Sequence, residues 1–263
     1  MIKKILITAI AVIAFTSCDE EGGGKKVILP ESVGNINNVK VILEKEQWEG
    51  MIGDSLRYVL ADPVYGLPRE EPKFTIDQIP SSAFKDFLRK NRIYVQIKKA
   101  DSATVNIVKN SYAQPQTGVI ITGNTKEEIA HLIIENEEKI VTALKDQELV
   151  AVQRRVRKAL KNTDSLASTF GVRIRFPNAY RYAFQEEKYF WIRKDLKRNG
   201  NMNITVYEVP HDVIDQDTIT IKNIIRMRDS IGGKMIPVDD GRFITERAFS
   251  PILQEVVIDG KFA

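Results

Sequence analysis

The chain has 263 residues, a formal net charge of +4 and 43% hydrophobic residues. That length suffices for one large or two small domains, and the hydrophobic content is typical of a chain with a buried core. Because the excess of positive charge is so small, we expect no nucleic-acid partner.

The first 18 residues have the layout of a lipoprotein signal peptide. Lys3 and Lys4 form a short basic region, residues 5–15 form an apolar stretch, and two small residues then precede Cys18. The apolar stretch is shorter than the roughly 20 residues that a membrane-spanning helix needs. The sequence therefore predicts cleavage before Cys18 and its modification with acyl chains such as palmitate. The alternative is an ordinary signal peptide cleaved elsewhere, or a membrane anchor.

The residues after Cys18 predict a tether at the outer membrane. Asp19–Glu21 is acidic, and the following Gly22–Gly24 cannot bury a core. We predict a signal peptide over 1–17 and a lipidated cysteine with a flexible tether over 18–36. The acidic residues resemble the signal by which Bacteroidota export lipoproteins to the cell surface. A surface-exposed outer-membrane lipoprotein is therefore expected, with a periplasm-facing one as the alternative.

Alternating and periodic apolar residues predict the elements of the first half. A helix is expected over 46–60, and Thr125–Glu128 forms a capping box that opens a long helix toward Asn162. The apolar periodicity of that helix shifts phase near residues 145–148, which predicts a kink or a break there. The predicted strands cover residues 38–43, 74–79, 93–98, 103–108 and 118–122.

The long helix is acidic in its first part and basic in its last part, where Arg154 to Lys161 includes five cationic side chains. This order complements the helix dipole, so stabilisation of the helix explains it without any ligand. The alternative interpretation is a basic patch for an anionic partner.

The second half is predicted to be rich in strands. Asn199 and Gly200 form a hairpin turn between two of them. A helix is expected over 217–231, closed by Gly232 and Gly233. The predicted strands cover residues 172–176, 180–184, 188–193, 204–207, 243–245 and 256–258.

These elements predict an α+β fold of antiparallel sheets packed with helices. The two successive sets of strands and helices suggest an N-terminal α/β lobe over 37–162 and a strand-rich C-terminal lobe over 163–263. Two similar lobes and one continuous domain are both left open by the pattern.

Residues that carry chemistry are few. The sequence contains no HExxH, GxGxxG, Walker A or GxSxG motif, so we expect no metal and no cofactor. His211 beside Asp212 is a weak candidate for a base or ligand. Asp239 and Asp240 are weak candidates for catalytic carboxylates, although the chemistry of an Asp-Asp-Gly turn accounts for them equally well.

An aromatic segment over 189–195 is the best candidate binding surface. In a strand, Tyr189, Trp191 and Arg193 lie on one face. Aromatic and arginine side chains suit the binding of a carbohydrate, a peptide or another protein. The alternative is that Trp191 covers the edge of a core, because aromatic strand residues usually serve packing.

Three segments carry a resemblance to a known family: Leu29–Gly34, Asp62–Pro68 and Phe190–Asp195. With them the chain resembles an uncharacterised Bacteroidota lipoprotein family, catalogued as a domain of unknown function. The resemblance brings no catalytic residues, and because its members are somewhat longer it leaves open whether strands are missing after Ala263. We therefore expect a lipid-anchored envelope protein without catalysis, either a structural module or one that binds an envelope protein or a glycan. The alternative is an envelope hydrolase acting on glycans or peptides.

Overall fold

The computed structural model describes residues 28–197, 200–213, 220–248, 251–253, 257–258 and 261–262. Cys18, the predicted signal peptide over 1–17 and two residues of the predicted turn, Arg198 and Asn199, lie outside the described residues. Within the described ranges, no helix combines the length and the apolar character that crossing a bilayer requires.

The chain has the predicted α+β fold, in which helices and strands form two lobes. The helices are α1 (Lys45–Trp48), α2 (Met51–Ala61), α3 (Lys126–Glu135), α4 (Glu137–Lys158), α5 (Asp164–Phe170) and α6 (Thr220–Met235). The strands of the N-terminal lobe are β1 (Asn38–Ile42), β2 (Thr75–Ile79), β3 (Ile93–Lys99), β4 (Thr104–Lys109) and β5 (Thr117–Gly123). Those that follow are β6 (Arg181–Glu186), β7 (Tyr189–Asp195), β8 (Asn201–Tyr207), β9 (Val257–Ile258) and β10 (Lys261–Phe262). Short 3-10 helices cover Ser81–Ala83, Leu88–Lys90 and His211–Val213.

The sheet of the N-terminal lobe is mixed, whereas the sequence analysis predicted antiparallel sheets. Its strand order is β2-β1-β3-β5-β4, and only β4 runs antiparallel to its neighbour. The connection between β1 and β2 contains α1 and α2, and a crossover of that length lets two neighbouring strands run in the same direction. Alternation of apolar residues predicts a strand but not its direction, which is why the sequence pattern missed this.

The main core lies between this sheet and the helices α2, α3 and α4. Strand residues such as Val95 and Ile121 pack there against Leu56, Ile133 and Leu144, all of them buried. A smaller aromatic cluster around Phe84 and Tyr94 is also buried. Burial of this apolar surface stabilises the lobe without any covalent cross-link.

The long helix breaks at Asn136 and not near residues 145–148. Asn136 separates α3 from α4, and its side-chain amide donates a hydrogen bond of 2.9 Å to the Leu132 carbonyl. Residues 145–148 lie inside α4, where Gln147 and Glu148 are buried. The apparent phase shift arises because two polar residues occupy core-facing positions.

The C-terminal lobe contains an antiparallel sheet in the order β6-β7-β8, as the sequence predicts for these strands. One face packs against α5, with Phe190 and Ile192 contacting Leu166 in a separate core. The predicted strand over 172–176 is wrong, because that segment has no sheet partner. This sheet differs from the first in strand number and direction, so the two lobes are not similar.

Helix α6 continues through the two glycines that were predicted to close it. Gly232 and Gly233 lie inside the helix, and a methyl group added there would come within 2.7 Å of the Phe243 ring and 2.8 Å of the Arg242 guanidinium. The glycines therefore allow the segment after α6 to pack closely on the helix. Residues 243–245 of that segment form no strand, contrary to the prediction.

Candidate functional site

A pair of tyrosines lies on one face of the C-terminal sheet. Tyr189 begins β7 and Tyr207 ends β8, and the antiparallel register places them opposite each other. Their rings are stacked, with 6.2 Å between the centroids and an angle of 17° between the planes. Such cross-strand aromatic pairs stabilise a sheet and also fix the orientation of both rings.

The hydroxyl group of Tyr189 is buried and has no hydrogen-bond partner among the described residues. The whole side chain is only 5% exposed. Burial raises the pKa of Tyr189 and also that of Tyr207, so both phenols stay protonated at neutral pH. A buried hydroxyl without a partner is costly in free energy. A bound group that accepts a hydrogen bond from it would recover part of that cost.

The tyrosine pair lines a cavity of about 420 Å³ between the sheet and α6. Ile231 and Met235 of α6 supply apolar wall, and Ser230 supplies a hydroxyl. This volume is within the range of small-molecule sites, which are largely apolar with a few polar groups that orient the ligand. We call this space the tyrosine cavity.

Charged side chains of both signs complete the lining of the tyrosine cavity. They are three carboxylates and two ammonium groups, belonging to Glu186, Glu187, Glu208, Lys188 and Lys234. One pair, Lys188 and Glu208, is separated by 3.7 Å and exposed, so it binds weakly and its atoms stay available. The lining thus offers hydrogen-bond donors and acceptors with little net charge.

A larger cavity of about 520 Å³ also borders α6, but its central polar groups already have partners. Asp229 accepts hydrogen bonds from the Thr245 backbone amide and hydroxyl at 2.7 and 2.6 Å, and the Thr245 hydroxyl bond lowers the pKa of this carboxyl. Arg242 donates to the Asp229 carbonyl at 2.9 Å. These bonds attach residues 242–245 to α6, so a structural role accounts for them.

The three residues of the predicted binding surface have different environments. Tyr189 lines the tyrosine cavity, whereas Trp191 is buried and donates a hydrogen bond of 2.9 Å to the Asn203 side chain. The Trp191 indole is therefore not an exposed contact surface, and it serves packing, the alternative that the sequence left open. Arg193 is half-buried and donates to Asp195 at 2.8 Å. Of the three, Tyr189 is the residue that lines the tyrosine cavity.

Asp239 and Asp240, two of the weak polar candidates, are not among the residues that line the tyrosine cavity. Asp239 and Asp240 are exposed in the turn after α6. His211 begins a short 3-10 helix, and its side chain lies outside the described part of the chain. Among the residues that the structure describes, no group of three or more His, Cys, Asp or Glu side chains could hold a metal ion.

Several residues of the tyrosine cavity were not identified from the sequence. Tyr207 is 18 residues from Tyr189, and Ile231 and Met235 lie on a helix whose packing against the sheet has no sequence signature. The one available signal was a tyrosine near the end of a predicted strand next to Glu208. Such a signal is common in sequences. The register of β7 with β8 is needed to show that Tyr207 lies opposite Tyr189.

Comparison with protein families assigns a separate match to each part of the chain. Residues 32–157 match Domain of unknown function (DUF8532), and residues 159–263 match Domain of unknown function (DUF4837). Two consecutive matches fit the layout of two lobes and are consistent with an uncharacterised family. No curated protein matches the chain, and no solved structure matches it.

Proposed function

We propose that this chain, which matches two consecutive domains of unknown function, is a lipid-anchored protein of the bacterial cell envelope. Its C-terminal lobe would contain a non-enzymatic binding site. The lobes would cover residues 37–162 and 163–263. The anchor is supported by the amino-acid sequence alone, through the apolar stretch over 5–15 and the single cysteine that follows it.

The buried, unpartnered hydroxyl of Tyr189 carries the proposal of a binding site. Tyr189 also lines the tyrosine cavity, and a ligand that shifts its ring slightly toward the opening would supply the missing partner. Sites of this kind recognise ligands that place a hydrogen-bonding group at a fixed distance from an apolar face.

A neutral glycan is the ligand class that best fits the lining. Sugar rings present both apolar C–H faces and hydroxyl groups, which match the tyrosine rings and the carboxylates around them. Three carboxylates against two ammonium groups leave little net charge, so the cavity does not select a strongly charged molecule. A protein partner is the alternative, and the binding experiment below distinguishes the two.

Metabolic labelling tests the anchor. Cells expressing the full chain would be grown with labelled palmitate, and the chain carrying Cys18→Ala would serve as the comparison. We expect label and membrane association only with Cys18 present, and digestion of the chain by protease added to whole cells. Label in the Cys18→Ala chain would refute the anchor, and protection from protease would favour the periplasm-facing arrangement.

Binding to an array of neutral oligosaccharides tests the site. We expect at least one glycan to be retained, and Tyr189→Phe to weaken its binding about tenfold, which corresponds to the loss of one hydrogen bond. Tyr182→Phe, a change outside the cavity, should leave the affinity unchanged. Retention of no glycan, or equal affinity of the Tyr189→Phe variant, would contradict a glycan site. Cleavage of the retained glycan would show that the protein is a hydrolase and not a binding module.

A further inference from the structure

The C-terminal part of α4 carries apolar side chains that no core covers. Leu149 and Val152 are 57% and 39% exposed, and Val156 is half-buried. At 100° per residue these three positions fall within about 60° of one another around the helix axis. We call Leu149, Val152 and Val156 the exposed stripe.

Cationic side chains accompany the exposed stripe. Between residues 149 and 160 the sequence has four basic residues and no acidic one. All four are exposed: Arg155 and Arg157 flank the exposed stripe at 100° per residue, whereas Arg154 and Lys158 lie on the opposite side of the helix, toward Glu31. Glu31 approaches Arg154 and Lys158 at 3.7 and 3.8 Å, but these pairs are exposed and therefore weak. Helix-dipole stabilisation accounts for the cations but not for the apolar residues beside them.

The start of the described chain lies against this same end of α4. Besides the contacts of Glu31, Arg155 donates a hydrogen bond of 3.2 Å to the Gly34 carbonyl. Glu31 follows Cys18 by 13 residues. A fully extended chain of that length spans at most roughly 45 Å, so a lipid on Cys18 would keep the basic end of α4 near the bilayer.

We propose that the exposed stripe and its cations dock onto an anionic membrane surface. The inference rests on the proposed anchor at Cys18. The apolar side chains would enter the boundary between headgroups and acyl chains, while Arg155 and Arg157 on either side of the stripe would contact lipid phosphates.

Charge favours a membrane over another copy of the chain as the occupant. A second copy packed stripe to stripe would bring Arg155 and Arg157 near the same two residues of the other copy, and like charges oppose such contact. An anionic bilayer supplies the opposite charge over the whole patch and accepts apolar side chains at the same time.

Vesicle binding tests this surface without the lipid anchor. The chain from residue 18 onward, with Cys18→Ser, would be sedimented with vesicles of phosphatidylcholine alone or of phosphatidylcholine with phosphatidylglycerol. We expect binding only to the anionic vesicles, and release by high salt. Inorganic phosphate at millimolar concentration should not compete, because the apolar part of the contact requires a bilayer.

Two pairs of variants assign the binding to the proposed residues. Arg155→Gln with Arg157→Gln should weaken vesicle binding about 30-fold, since each basic residue near an anionic surface contributes about fivefold. Lys45→Gln with Lys126→Gln removes the same charge from exposed positions elsewhere on the lobe and should have no effect. Leu149→Gln should weaken binding, whereas Phe87→Gln, at another exposed apolar position, should not.

Several outcomes would overturn the proposal. They are equal binding to neutral vesicles, equal losses in the test and control variants, and no binding at all. Concentration-dependent dimers that Leu149→Gln dissociates would assign the exposed stripe to a second copy. Circular dichroism of each variant verifies folding. Because Cys18 is replaced throughout, a negative result leaves the anchor standing, and palmitate labelling decides the anchor separately.

Discussion

Arg92 and Glu148 form a two-pronged ion pair in the interior of the N-terminal lobe. The distances are 2.8 Å from Nε to Oε1 and 3.0 Å from Nη2 to Oε2, and the side chains are 4% and 3% exposed. Arg92 also donates to the carbonyls of Gly34 and Asn35, and the Asn37 amide donates to Glu148 at 2.8 Å. The pair thus connects α4 to the residues before β1 and β3.

Removing one partner of this pair should destabilise the lobe strongly. We expect Glu148→Gln to lower the free energy of unfolding by about 3–5 kcal/mol, because a buried guanidinium loses its counter-charge. The measurement is urea denaturation followed by circular dichroism. The double change Arg92→Met with Glu148→Leu should cost less than the sum of the single changes, and additive costs would show that the two side chains act independently.

Gly118 is required by the close approach of the Tyr94 ring from the neighbouring strand. A methyl group on Gly118 would lie 2.2 Å from Cζ of Tyr94, its register partner. We expect Gly118→Ala to destabilise the lobe by about 1–3 kcal/mol through overpacking. In chains that carry Tyr94→Leu the same change should cost clearly less. An equal cost in both backgrounds, measured by urea denaturation, would refute the steric explanation.

Tyr189→Phe should not destabilise the free protein. Its hydroxyl has no partner among the described residues, so removing it relieves a buried polar group, and we expect a gain of about 1 kcal/mol or no change. The matched change Tyr182→Phe removes a hydroxyl that donates to the Asn162 carbonyl at 3.1 Å and should cost about 0.5–1 kcal/mol. Thermal unfolding compares the two. Equal losses would mean that the Tyr189 hydroxyl is bonded in the folded protein.

Stability should fall as the pH rises above about 10. Burial raises the pKa of Tyr189 above its ordinary value of 10.0, so above that pH the unfolded chain releases the phenol proton before the folded one does. The folded state then binds more protons, and the linkage relation gives decreasing stability with increasing pH. Unfolding in urea at pH 8 to 11 measures the slope, which should be smaller for Tyr189→Phe. An identical slope would indicate that the phenol is solvated.

Local sequence patterns predicted many elements because local forces determine them. Thr125 caps α3 as the capping box indicates, accepting a hydrogen bond of 3.1 Å from the Glu128 amide. The alternation over 93–97 marks β3, which is buried along most of its length. Patterns misled where long-range contacts dominate, as at Gly232 and Gly233, which lie inside a helix because Phe243 and Arg242 pack on them.

The sequence by itself determined the α+β class, the positions of most strands and helices, and a single cysteine after an apolar stretch as the basis for a predicted anchor. The tertiary structure alone decided strand direction, the burial of Trp191 and of Glu148, and the meeting of Tyr189 with Tyr207 and α6. It also left Leu149 and Val152 exposed, although their spacing matches that of a buried helix face. The reason is physical: periodicity records which residues share a face, but only packing between distant segments determines what covers that face.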